Sequence, residues 1–184
     1  GLPHLDTGLL YRATAKACLD AGVDPDDGSK AADLASALKI DAMNPDELRT
    51  AEIGQAASKV AVHPAVRSAL YDLQRSFANQ PGGAILDGRD IGTVICPDAE
   101  VKLFVTADAE TRALRRWEEL QAKGEALSFE TMLEQTRERD ARDAERTDAP
   151  MKPADDATLL DTSSLSIDAA VATAIRIVEK RQKA

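Results

Sequence analysis

Asp87-Gly88-Arg89-Asp90 sets two carboxylates and a guanidinium around a glycine, directly after the apolar run Ala84-Ile85-Leu86. A short apolar run of this kind reads as a buried strand. Charged groups at the carboxyl end of a strand lie where open α/β sheets take their ligands. The chemistry on offer is an anion gripped by arginine beside a metal served by carboxylate. Asp87 can hold a magnesium ion through its waters, because that ion prefers oxygen donors and keeps part of its hydration. Arg89 can fork onto a phosphate or a base edge, and Asp90 can orient Arg89 by a bidentate pair. A plain charged turn uses the same residue types, so this turn needs partners before it becomes a site.

Three other clusters supply candidates. In Asp6-Thr7-Gly8-Leu9-Leu10-Tyr11-Arg12, Asp6 or Thr7 caps a helix, Gly8 lets a ligand near the backbone, and Arg12 can reach a phosphate. In the run from Arg137 to Arg146, helical spacing puts Arg139, Arg142, Asp143 and Arg146 on one narrow face, with Asp140 to the side. Three arginines around one carboxylate suit an anion, although such runs are more often solvated faces laced with ion pairs. Arg112, Arg115 and Arg116 precede Gly124 and can belong to a basic helix that moves as a lid. Trp117 reads as core with Ala113, Leu114 and Leu120. His4, His63 and Cys18 read as structural residues.

These groups must be positioned by regular elements, and the chain has enough of them for one domain. It has 184 residues, 43% of them hydrophobic and only 3% aromatic, so alanine and branched aliphatics fill the core. A net charge of −9 argues against a nucleic-acid or anionic-membrane surface. It leaves room for a small anionic ligand in a locally basic pocket. The apolar stretches are too short to span a bilayer. Two cysteines without metal or framework spacing suit a reducing cytoplasm.

The pattern predicts a strand ending at Asp6, a helix to about Ala21 and a short helix over Lys30–Leu38. One helix is expected from the Asn44-Pro45 start to about Val62, and another from Pro64 to about Phe77. Strands follow at Ala84–Leu86 and Val101–Val105, then helices at Ala109–Ala122 and from Ser128 to Arg146. Strand Thr158–Asp161 precedes a last helix with Ile167, Ala170, Val171, Ala174, Ile175 and Val178 on one face. Short apolar strands separated by long helices predict an α/β fold, a parallel sheet covered by helices on both faces. A first strand, loop and helix are expected before Asp6, since a parallel strand needs a neighbour and a crossover.

Together these residues resemble the bacterial cytidylate kinases of the nucleoside monophosphate kinase superfamily. The resemblance follows in order through Leu5-Asp6-Thr7-Gly8-x-x-Tyr11-Arg12 and Ala56-Ala57-Ser58-x-Val60-Ala61. It continues through Asp87-Gly88-Arg89-Asp90-Ile91-Gly92-Thr93-Val94-x-x-Pro97-Asp98-Ala99 and Val101-Lys102-Leu103-Phe104. It ends with Arg139-Asp140-x-Arg142-Asp143-x-x-Arg146 and Leu160-Asp161-Thr162-Ser163. It implies a P-loop kinase-like domain over 1–184, with a mostly helical acceptor-binding insertion over 23–79 and a lid region over 112–146. The implied reaction transfers the γ-phosphoryl of ATP, with Mg2+, to CMP or dCMP.

By the same resemblance, Thr7 and Arg12 contact the monophosphate, and Ser58 and Arg89, with Asp90 beside it, read cytosine. Asp143 contacts the ribose, with Arg146 on the same ligand. Arg139 and Arg142 neutralise phosphates as the lid closes, Asp87 works beside the magnesium ion, and Arg115 or Arg116 approaches ATP. The family's glycine-rich phosphate loop with its lysine has no counterpart among these residues. The N-terminal strand–loop–helix is thus expected to be absent, and CDP formation by a chain starting at Gly1 is expected to be negligible. A cytoplasmic monomer is expected. A kinase for another small acceptor and a non-catalytic nucleotide-binding domain remain the alternatives.

Overall fold

The computed structural model describes residues 1–39, 43–145 and 147–182. β1 (His4–Asp6) passes directly into α1 (Thr7–Asp20), which stops at Gly22. That glycine takes φ +65°, the left-handed geometry that ends a helix. α2 (Gly28–Ser36) starts at Asp27, whose carboxylate accepts the Lys30 N–H. α3 (Pro45–Leu48), α4 (Ala51–Val60) and α5 (Pro64–Ala78) follow. The larger of two hydrophobic clusters holds this half together, with Leu10, Cys18, Val60, Val66 and Leu70 fully buried. The single helix expected from Asn44 to Val62 is in fact two, broken at Arg49 and Thr50. The Arg12 guanidinium takes the Leu48 carbonyl at 2.9 Å and the Thr50 carbonyl at 3.4 Å. Carbonyls satisfied by a side chain need no further helix turn, and Thr50 restarts the helix by accepting the Ile53 N–H.

The expected strand over 84–86 lies one residue later. β2 (Ile85–Asp87) pairs in parallel with β1, with Leu5 opposite Leu86 and Asp6 opposite Asp87. A π-helical turn, Ile91–Ile95, leads on to β3 (Leu103–Thr106). β3 pairs in parallel with β4 (Thr158–Asp161). α6 (Ala109–Ala122) and α7 (Phe129–Glu145) form an antiparallel hairpin between them, and α8 (Ile167–Gln182) closes the chain. The parallel α/β arrangement is as expected, present as two two-stranded sheets.

Helical cover is incomplete: Ile85, Val105 and Leu159 stay exposed, as do Ile167 (82%), Val171 and Ile175 of the apolar face of α8. Trp117 does pack with Ala113 and Leu120 in the second, smaller cluster, whereas Leu114 points outward. Among the described residues no helix is long and apolar enough to cross a membrane.

Candidate active site

The carboxyl ends of β1 and β2, the N-terminus of α1, and α4 through α7 enclose a cavity of about 1200 Å3. Its floor is the Asp87–Asp90 turn. Thr7 is buried, and its hydroxyl donates to the Asp87 carbonyl at 2.7 Å, stapling the two strand ends together. The helix cap expected of Asp6 or Thr7 falls to Asp6, whose side chain makes no capping bond. Gly88 is required here. A Cβ on it would sit on the Thr7 hydroxyl and lie 2.9 Å from Ile91 Cδ1.

Arginines face this floor from three sides. Arg12 rises from α1 under Gly54, where a Cβ would lie 3.3 Å from its Nη1 and Nη2. Burial holds the Arg12 guanidinium below its ordinary range, and repulsion from Arg116 adds to this against the pull of Asp6. Arg89 comes from the turn itself and Arg139 from α7. Asp143 lies between them, 3.3 Å from Arg89 Nε and 3.9 Å from Arg139 Nε. Desolvation, then repulsion from Arg89, pulls the Arg139 guanidinium down to about 10, with Arg12 pushing the same way. Thus Arg139 feels the positive charge of both Arg89 and Arg12, with one buried carboxylate set between it and Arg89. A cavity lined in this way favours an anionic ligand.

A second polar group lines the same cavity. Arg67 of α5 and Asp90 are both buried, 7% and 6% exposed, and Arg67 Nη2 bonds the Asp90 carboxylate. Arg67 Nε reaches Asp148 at 2.9 Å. The Ser58 hydroxyl, on α4, is buried with no hydrogen-bond partner among the described residues. A buried polar atom without a partner points to a ligand or water. Asp6 and Asp87 sit side by side at the strand ends. His4 Nε2 lies 2.6 Å from Asp87 Oδ2. Desolvation raises the Asp87 pKa against the effect of His4, and Asp6 raises it further.

A family model described as cytidylate kinase matches residues 1–180. The chain belongs to the cytidylate kinase family. Three curated cytidylate kinases illustrate the likeness. That of Methylocella silvestris is 55% identical over 179 residues, 97% of this chain and 83% of the relative. That of Xanthobacter autotrophicus is 56% identical over 182 residues, 99% of this chain and 87% of the relative. That of Brucella suis biovar 1 is 54% identical over 179 residues, 97% of this chain and 82% of the relative.

Within this cytidylate kinase fold, the structure brings Thr7, Arg12, Ser58, Asp87, Arg89, Asp90, Arg116, Arg139 and Asp143 around one cavity. Two expected pairings are different. Asp90 pairs with Arg67 and not with Arg89. Arg89 turns instead to Asp143 and to Met151 Sδ, at 3.0 Å. Of the three α7 arginines expected around Asp143, Arg142 turns to Gln55 and Glu138, and Arg146 lies outside the described residues. Arg115 leaves the cavity to bond the Thr162 and Leu165 carbonyls at 2.7 and 3.3 Å. Arg116 bonds Glu119 and the Arg49 carbonyl. Asp140, expected off to the side, ties α7 to α6 through two bonds to Arg112, at 2.7 and 2.6 Å.

Arg67 was invisible to sequence reasoning. The only local signal was its place one turn after His63-Pro64, which reads as a surface position on a new helix.

Proposed function

We propose that this chain binds the phosphoryl acceptor CMP or dCMP in the cavity and takes part in its phosphorylation by ATP to the diphosphate. The gathering of Arg12, Arg89 and Arg139 on one cavity, where Arg139 feels the charge of the other two, carries the reading. Phosphoryl transfer demands positioning and charge neutralisation more than covalent chemistry. An acceptor phosphate repels an incoming phosphoryl group, and three guanidiniums remove that repulsion where it is strongest.

Arg12 and Arg89 hold the acceptor phosphate from the body of the fold. Arg139 reaches it from the α6–α7 hairpin, which serves as the lid over the acceptor insertion formed by α2 to α5. Asp143, beside Arg89, is placed to take a ribose hydroxyl. Cytosine offers an amine donor next to two acceptors, N3 and O2. The Asp90 carboxylate matches the amine, while Arg67 and the unpartnered Ser58 hydroxyl match the acceptors. We thus give base reading to Asp90 and Arg67 with Ser58, and phosphate binding to Arg89.

A magnesium ion brought by ATP would supply charge neutralisation at the phosphates. The residues fit it: Asp6 and Asp87 give adjoining carboxylates at the strand ends, enough for an ion that keeps several waters. Among the described residues no three metal-ligating side chains gather as a full cage. Asp87 is the residue we expect to hold that ion, through water.

Titration calorimetry tests the reading. CMP should bind at least about tenfold tighter than UMP, whose O4 would face the Asp90 carboxylate and leave buried groups unpaired. Equal affinity for CMP, UMP and AMP would overturn it, and tight binding of another small anion in their place would favour a different acceptor.

A further inference from the structure

Besides the arginine site and the Arg142–Gln55 bond, the α6–α7 hairpin touches the acceptor insertion at the N-terminus of α4. The first N–H groups of a helix have no partner within it. Thr50 serves the Ile53 N–H. The Ala51 N–H is served from 74 residues away, by Glu125 Oε2 at 3.2 Å. Glu125 is not a loose surface acid. Gly124, at φ +81°, turns the chain after α6, the Glu125 N–H returns to the Leu120 carbonyl at 3.0 Å, and Gln121 holds the Glu125 carbonyl at 3.1 Å.

Around this bond the contact is apolar. Ala51 packs against the cluster of Trp117, Leu127, Phe129 and Met132. Trp117 is pinned by its own bond to the Leu127 carbonyl at 2.8 Å. Arg116 Nη2 donates to the Arg49 carbonyl at 3.0 Å, on the break just before α4. A carboxylate at the start of a helix also meets the positive end of its dipole.

We propose that Glu125 is a positioning residue: it caps α4 in trans and latches the hairpin to the acceptor insertion. α4 carries Ser58 and packs over Arg12, whereas α7 carries Arg139 and Asp143. The latch therefore sets the spacing between the two walls that grip the acceptor. This role rests on the acceptor reading above.

Amide hydrogen exchange and CMP titration, on the wild-type chain, Glu125→Ala and Glu125→Gln, test it. Glu125→Ala should speed exchange at the Ala51 amide about tenfold while leaving Ile53 unchanged, and should weaken CMP about fivefold. It should also shrink the CMP-induced change in emission of Trp117, the one tryptophan of the chain. Glu125→Gln keeps an accepting oxygen and should restore both Ala51 protection and most of the affinity. Unchanged Ala51 exchange in Glu125→Ala overturns the contact, and faster exchange with unchanged CMP affinity overturns the positioning role. Failure of the wild type to bind CMP overturns the acceptor reading and the positioning role together. Exchange at Ala51 then still tells that failure from failure of the contact.

Discussion

Burial and the neighbouring Arg89 set the charged Arg139 against the folded state. Its folded pKa, about 10, lies below its ordinary value, so the charged form is disfavoured by folding. The penalty is complete at neutral pH and is relieved only as the pH rises through 10 and beyond. More than a third of the side chain is exposed, and solvent reduces the effect. Arg139→Met should therefore raise the ligand-free melting temperature at pH 7 by about 1–2 °C and weaken CMP by about tenfold or more. Thermal melts in phosphate-free buffer with matched titrations measure both; a lower melting temperature with affinity intact would refute the account. Asp90 behaves in the opposite way. Asp90→Asn leaves the buried Arg67 with the half-exposed Asp148 as its one carboxylate partner among the described residues, and breaking such a pair costs about 3–5 kcal/mol. Because Asp148 remains, urea unfolding should show a loss near the lower end of that range, and the preference for CMP over UMP should vanish.

At the scale of elements, the break between α3 and α4 is the consequence of one side chain. Arg12 needs the Leu48 and Thr50 carbonyls and needs Gly54 above it. Gly54→Ala separates function from stability. Alanine in a helix interior gains about 0.8–1 kcal/mol over glycine, and the atoms nearest the intruding Cβ belong to the end of the Arg12 side chain. The melting temperature should hold or rise slightly while CMP affinity falls about tenfold, as calorimetry on the same sample would show. This dependence explains what could be read from the chain and what could not. The Asp87–Asp90 turn was legible because a strand end followed by charge is a local pattern. The Arg139–Asp143 pair was legible because i,i+4 spacing shows it. The α3–α4 break was hidden, since its cause lies at Arg12, 36 residues from Leu48. Arg67 with Asp90 and Glu125 with Ala51 join distant segments by packing, so residue type and spacing assigned Asp90 to its neighbour Arg89 instead.

For the whole molecule, the two hydrophobic clusters are unequal. Among the described residues, β1, α1, α2, α4 and α5 share twelve buried side chains, whereas the α6–α7 hairpin is centred on Ala113, Leu120 and Met132. The hairpin meets the rest through polar bonds of Arg112, Arg115, Arg116, Glu125 and Arg142 and the small patch at Ala51. Local opening starts where few apolar contacts must be broken. The amides of α7 should therefore exchange well before those of α1 and α5. CMP touches both walls in the proposed arrangement, so its binding free energy falls on that opening. At a hundred times its dissociation constant, a ligand stabilises the state it binds by about 2.7 kcal/mol, which would slow opening-limited exchange about a hundredfold. Exchange read by mass spectrometry should show that protection concentrated in α7 and the N-terminus of α4, with α8 almost unaffected. Protection spread evenly over the chain would mean that CMP resists global unfolding only, and that the hairpin is no separate unit.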